Sequence, residues 1–302
     1  MISRKHVVTA CFGAFISIMA AYWIQLKILY MPRTYDEDET LMAERFLQRR
    51  GLNLETLEFS LSTFTQRAYL VSYPPARQRQ VKLVVLFGGN CMTALDWCDW
   101  VTEIRDFLPS REGASFLLID YPGYGDNKGS PSPDSIQDAT NLAVEASLAS
   151  FREKSMVVTD FIVMGHSIGA AVASRWVASQ GTSVTFPAVN TLVLSAPFTS
   201  VVEMAHVIFP FIPVSVARLL SRHNWDNVKA LSRITDKNLA DQIFIVHGDQ
   251  DEIVPFAMGK RLSEVGDGRI KLIPVPDAFH NNLLNYIKIY GLLLGSLPSG
   301  KL

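Results

Sequence analysis

Ser167 lies at the centre of the pentapeptide Gly165-His166-Ser167-Ile168-Gly169. A serine in that spacing can act as a nucleophile if a base reaches its hydroxyl and an acid holds the base in place. The chain offers both afterwards, in the order acid and then histidine. His247-Gly248-Asp249-Gln250-Asp251 follows one apolar run, and Ala278-Phe279-His280-Asn281 follows the next. Asp251 is the chosen acid and Asp249, two residues earlier, is its rival. His280 is the expected base, because it is the histidine at a strand end after Asp251. His247 is expected to fix its turn. His166, beside the nucleophile, is expected to point away from the reacting centre. His206 and His223 are expected on the surface.

Such a constellation also needs two backbone N–H donors for the oxyanion. One comes from Ile168, the residue after Ser167, and the other from the loop Gly88-Gly89-Asn90-Cys91. Asn90 is the first choice for that donor and Cys91 the second. Cys91 is expected otherwise as a small side chain near the substrate. Asp120-Tyr121-Pro122-Gly123-Tyr124-Gly125 reads as a glycine-dense turn near the entrance, with Tyr121 facing substrate. No Lys-Ser/Thr follows it, as a phosphate-binding loop would require. No His, Cys, Asp and Glu cluster has metal-ligand spacing, and the chemistry needs no cofactor.

These residues must be carried by elements. Short apolar or β-branched runs alternate with helical patterns from about residue 50, as parallel sheets with crossover helices do. The spacing predicts strands over Leu54–Leu61, Ala68–Tyr73, Val81–Phe87, Ser115–Asp120, Asp160–Met164, Thr191–Ser195, Gln242–Val246 and Lys271–Val275. Leu83–Phe87 and Phe116–Ile119 are apolar throughout, as strands buried on both faces are. The first two strands alternate more and are expected to form an antiparallel edge. Helices are expected over Leu95–Leu108, Asp134 to Phe151, Ile168 to Ser179, Ala257–Val265 and Asn282–Leu294. Ser167 is thus placed in a sharp turn between a strand and a helix, where glycines prevent collision with neighbouring backbone.

Between about residues 197 and 240 the alternation breaks. Val207-Ile208-Phe209-Pro210-Phe211-Ile212-Pro213 is apolar and kinked by two prolines. It reads as a small helical lid, with Phe209 and Phe211 facing the substrate. A crossover with an additional packed helix and no gating role is the competing reading.

Composition narrows the class. The 302 residues are 48% hydrophobic and 19% charged, with a formal net charge of -1. That is too apolar for a disordered chain, and it lacks the basic excess that nucleic-acid binding needs. Three cysteines do not make a disulfide framework. The mean hydropathy of +0.17 is raised by an uncharged run of 20 residues, Val7 to Leu26, preceded by Arg4 and Lys5. A helix of that length spans about 30 Å, the thickness of a bilayer core. Tyr22, Trp23 and Tyr30 stand at its far end, as interfacial aromatics do. A cleaved signal peptide would have a shorter apolar core, and a buried helix is rarely apolar all round. The expected organisation is therefore a membrane anchor over 1–33 and one catalytic domain over 34–302. The amino terminus is placed in the cytosol and the domain in the lumen or outside.

The motifs Phe87–Asn90, Asp120–Gly125, Gly165–Gly169, Ala196-Pro197-Phe198-Thr199-Ser200, His247–Pro255 and His280-Asn281 together resemble an α/β-hydrolase of the serine aminopeptidase-like branch. Within it the chain is similar to single-pass, membrane-anchored α/β-hydrolase-domain proteins. The family pattern His-Gly-x-x-Asp-x-x-Val-Pro places the acid on Asp251 rather than Asp249. Two positions depart from the family. Gly88 stands where a His is usual, and Phe279 stands where a Gly usually precedes the catalytic His. The resemblance implies an eight-stranded sheet and a serine hydrolase cleaving an ester or thioester of a lipid or acylated protein. A peptidase of the same branch and a non-catalytic membrane-bound interaction protein are the rivals.

Overall fold

The computed structural model describes residues 27–73, 79–104, 107, 113–180 and 186–295. The eight expected strands all form: β1 (Asn53–Leu61), β2 (Phe64–Ser72), β3 (Gln80–Phe87), β4 (Gly113–Ile119), β5 (Val157–His166), β6 (Val189–Ser195), β7 (Ala240–Gly248) and β8 (Ile270–Val275). They make one sheet in the order β1-β2-β4-β3-β5-β6-β7-β8. β2 pairs antiparallel with both β1 and β4, and the other pairs are parallel. The central strand β3 has β4 on one side and β5 on the other, so the chain order reverses there. A crevice opens at such a reversal, beyond the carboxyl ends of the strands. The register aligns Phe87 at the end of β3 with Gly165 on β5, which puts the loop after β3 beside the Ser167 turn.

Side-chain alternation along β3 builds two cores. Leu83, Val85 and Phe87 face one, and Val84 and Leu86 face the other. All five are fully buried, as a strand covered by helices on both faces must be.

The helices are α1 (Glu39–Gln48), α2 (Cys98–Ile104), α3 (Pro133–Glu153), α4 (Ile168–Gln180), α5 (Val201–Ile208), α6 (Val214–Leu220), α7 (Asn227–Lys237), α8 (Phe256–Ser263) and α9 (Ile287–Leu294). α1 was not among the expected helices. Leu47, fully buried, and Ala43 hold it on the sheet. The helix expected over Leu95–Leu108 begins as a 3-10 turn, Ala94–Trp97, and continues as α2. α3 starts at Ser132, whose side chain accepts the Ser135 N–H, with Pro133 at the first helical position.

In the segment after β6, α7 packs against α4 as a crossover helix does. α5 and α6 form the additional element. Their outer surface is apolar: Phe211 is 80% exposed and Leu219 82%.

The apolar run Val7–Leu26 lies outside the described residues. Among the described residues no helix is long and apolar enough to cross a membrane. Tyr30 was expected at a membrane interface, yet it is fully buried. Its hydroxyl accepts the Trp225 indole N–H at 3.0 Å and lies 2.9 Å from His223 Nδ1. A buried phenol needs polar partners for its hydroxyl, and Trp225 and His223 supply them. His223 is corrected with it: it follows α6 in the chain and is buried rather than exposed.

Candidate active site

Ser167 sits between β5 and α4 with φ of 56°, a left-handed conformation that a serine adopts only under constraint. The flanking glycines supply the constraint. A Cβ on Gly165 would lie 2.0 Å from the Gly169 carbonyl oxygen, and one on Gly169 would lie 2.2 Å from the Phe87 oxygen. Backbone cannot yield at those distances, so both positions must be glycine. The Ser167 N–H donates to the Ser195 carbonyl at 2.8 Å, tying the turn to β6. Its side chain faces a cavity of about 570 Å³.

Asp251 and His280 come together across the ends of β7 and β8. His280 Nδ1 lies 2.8 Å from Asp251 Oδ2, with the carboxylate wholly buried and His280 nearly so. Asp251 Oδ1 accepts the N–H groups of Ile253 at 3.0 Å and Val254 at 2.7 Å. Burial alone would raise the Asp251 carboxyl. Hydrogen bonds from His247 and His280 outweigh it and hold the group well below the usual carboxylate range. Asp249 is exposed and accepts the Asp277 N–H instead, so it does not reach His280. His247 Nε2 donates to the Val254 carbonyl at 2.9 Å and lies 3.4 Å from Asp251 Oδ2. It therefore shapes the turn that presents the acid.

Ser167 and His280 line the same cavity, with Gly89, Asn90 and His166. No hydrogen bond joins Ser167 to His280 here. Such contacts commonly tighten only when substrate is bound. The Asn90 backbone N–H has no hydrogen-bond partner among the described residues, whereas its side-chain amide donates to the Ile28 carbonyl at 2.8 Å. The Cys91 N–H donates to the Tyr30 carbonyl at 3.1 Å, which removes it as an oxyanion donor.

Four residues expected at the substrate lie elsewhere. Cys91 is exposed, outside the cavity lining. Tyr121 is buried and donates its hydroxyl to the Gly88 carbonyl at 2.8 Å. Phe209 and Phe211 meet each other edge to face at 6.1 Å and line no part of the cavity. An apolar run does not reveal which way it faces.

His166 overturns its expectation. It lines the cavity, and its ring centroid is 5.0 Å from that of His280. Burial, with His280 nearby, lowers its pKa to about 3, so it is neutral. The opposite wall was missed altogether: Asp96, Asp99, Trp100 and Glu103 all face the cavity. Their i, i+3, i+4, i+7 spacing puts them on one helical face, and that signal was present in the sequence. The two departures from the family pattern also have places. A Cβ at Gly88 would come within 3.0 Å of the Met92 Cβ, so a larger residue there would displace Met92. Phe279 is 48% exposed and does not line the cavity.

The comparisons agree with this architecture. The family model described as the alpha/beta hydrolase family matches residues 84–262. The lysophosphatidylserine lipase ABHD12 of Danio rerio is 29% identical over 260 residues, which cover 82% of this chain and 63% of that protein. Protein ABHD12B of Homo sapiens is 28% identical over 187 residues, covering 58% of this chain and 49% of the relative. The matches thus span about half to two thirds of these relatives' length. Among solved structures, an alpha-beta hydrolase from Vibrio vulnificus superposes with a TM-score of 0.62 at 15% identity, covering 85% of each chain, a likeness of fold alone. Since the family model matches more than half of its residues, the chain belongs to the alpha/beta hydrolase family.

Proposed function

We propose that this protein is a serine hydrolase that cleaves an acyl ester or thioester by way of an acyl-enzyme. The observation that carries this reading is Ser167, held at a strained turn and opening into a cavity shared with His280, whose Nδ1 is 2.8 Å from buried Asp251. Ser167 Oγ attacks the carbonyl carbon while His280 Nε2 accepts its proton. Asp251 fixes the tautomer and stabilises the imidazolium that forms. The N–H groups of Ile168 and Asn90 receive the oxyanion, each worth about 3–4 kcal/mol of barrier. The leaving group takes the proton back from His280, and water then releases the acid by the same path. The residues present need no metal or cofactor for these steps.

An acyl-lipid substrate is supported by the relative named as a lysophosphatidylserine lipase. It is also supported by the apolar outer face of α5 and α6, and by the 20-residue apolar run before Lys27. We read that run as a membrane anchor, with the catalytic domain on the lumenal or outer side. The cavity itself argues about the head group. Asp99 and Glu103 line it, as does Asp96, whose carboxylate pairs with Arg33 at 2.9 Å, and no Lys or Arg is part of the lining among the described residues. The Asp99 and Glu103 carboxylates repel an anion and attract a cation, so a neutral or amine-bearing substrate is favoured over an anionic one.

The same acids favour the second reading, an amide substrate carrying a free amino group. A panel of neutral acylglycerols, acyl thioesters, lysophosphatidylserine and aminoacyl amides separates the readings. The account expects hydrolysis of the neutral acyl esters or thioesters. Turnover confined to the aminoacyl amides would replace it with the peptidase reading.

A further inference from the structure

The cavity contains a second histidine that the proposed chemistry does not use. His166 lies beside the nucleophile and is 6% exposed, with its Nδ1 3.0 Å from Ser195 Oγ. Ser195 Oγ in turn lies 2.7 Å from the Tyr290 hydroxyl. Ser195 and Tyr290 are both fully buried.

The direction of this chain follows from counting protons. The Tyr290 hydroxyl has Ser195 Oγ as its one hydrogen-bond partner among the described residues. If Ser195 donated to Tyr290, the phenolic proton would be buried with no acceptor, which costs more than an ordinary hydrogen bond returns. Tyr290 therefore donates to Ser195. The Ser195 proton then has one place to go, the lone pair of His166 Nδ1. An imidazole that accepts at Nδ1 and is neutral carries its proton on Nε2. That nitrogen has no hydrogen-bond partner among the described residues, and the ring belongs to the cavity wall beside His280.

We propose that His166 Nε2–H is a fixed hydrogen-bond donor to the substrate, its tautomer imposed by the relay Tyr290 to Ser195 to His166. The acceptor it suits is an oxygen of the leaving group near the atom that His280 protonates, such as a free hydroxyl of an acylglycerol. His166 is then a specificity-determining residue, and Ser195 and Tyr290 are positioning residues acting through it. A histidine in this place adds no second base, because its only free nitrogen already bears a proton. The inference rests on the serine hydrolase reading of the same cavity.

The test compares kcat/KM for a monoacylglycerol with that for the ethyl ester of the same fatty acid, using the full chain in detergent micelles. One neutral hydrogen bond corresponds to a ratio change of about 3–10-fold. His166→Phe should lower the monoacylglycerol to ethyl ester ratio by that amount. His166→Gln, which keeps an N–H donor, should restore part of it. Tyr290→Phe should lower the ratio less, and nitrogen-15 NMR of the labelled histidines should show the His166 ring changing from one tautomer to a mixture. An unchanged ratio in His166→Phe, or equal loss on both esters, would overturn the proposal, since a purely structural His166 gives the second result. A wild-type protein that hydrolyses neither ester and resists a serine-directed fluorophosphonate would overturn the hydrolase reading itself.

Discussion

The Asp251 carboxylate places one oxygen 2.8 Å from His280 Nδ1 and binds the Ile253 and Val254 N–H groups with the other. One side chain thus orders both the turn after β7 and the histidine after β8. Asp251→Asn keeps the shape but removes the charge that selects the His280 tautomer. The expected result is a fall in kcat of about 10⁴-fold, the scale seen when such an acid is neutralised elsewhere. Asp249→Asn, whose oxygen can still accept the Asp277 N–H, should retain most of the activity. Steady-state kinetics on one acyl ester decides between the two acids, and equal losses would contradict the assignment.

The Ser167 turn depends on glycines that cannot be replaced. Gly165→Ala places a methyl 2.0 Å from the Gly169 oxygen, against the backbone of the first turn of α4. Overpacking of this kind costs roughly 1–3 kcal/mol or more. Thermal unfolding should show a clear drop in Tm or no folded protein. A wild-type Tm would mean that the turn is more open than described.

Asp120 gives stability a dependence on pH. Its carboxyl accepts the Ala94 N–H at 2.7 Å and the Tyr35 hydroxyl at 2.6 Å, but burial dominates and pushes it up from its ordinary value of 3.8 to about 7. Between those values the folded chain holds a proton that the unfolded chain has lost. The contribution of Asp120 to stability is therefore fully present below about 4 and is lost as the pH rises through about 7. The slope is on the order of 1.4 kcal/mol per pH unit at most. Urea unfolding at pH 5 and pH 8 measures it. Asp120→Asn, which can accept from Ala94 and donate to Tyr35, should flatten the dependence, and an unaltered slope would place its origin elsewhere.

Tyr30 ties the segment that follows the apolar run to the connection between α6 and α7. Tyr30→Phe leaves the buried Trp225 indole N–H without its acceptor. A loss of about 1–3 kcal/mol in stability is expected, read from the urea midpoint. No loss would mean that this contact is replaced by solvent.

The parts of the molecule that were legible in the sequence are those where burial and backbone geometry leave a single solution. Leu83–Phe87 is apolar throughout because β3 is covered on both faces, and the glycines around Ser167 are fixed by contacts with backbone. Facing was less legible. Phe209 and Phe211 sit in an apolar stretch, and nothing in that stretch says whether it turns inward to a cavity or outward. His166 looked turned away because its role depends on Ser195 and Tyr290, which are 29 and 124 residues distant. Tyr30 belonged by pattern to the apolar run, but its partners lie more than 190 residues further on. The i, i+3, i+4, i+7 face of Asp96, Asp99, Trp100 and Glu103 is readable in the sequence, but spacing alone does not say that the face borders a cavity.

The central claim is that Ser167 is the nucleophile. A fluorophosphonate that carries a reporter reacts with serines activated in this manner, and peptide mass spectrometry locates the adduct. The account predicts one adduct, on Ser167, in the intact protein and none in Ser167→Ala. Continued labelling of Ser167→Ala, or an adduct on another residue of the intact protein, would contradict it.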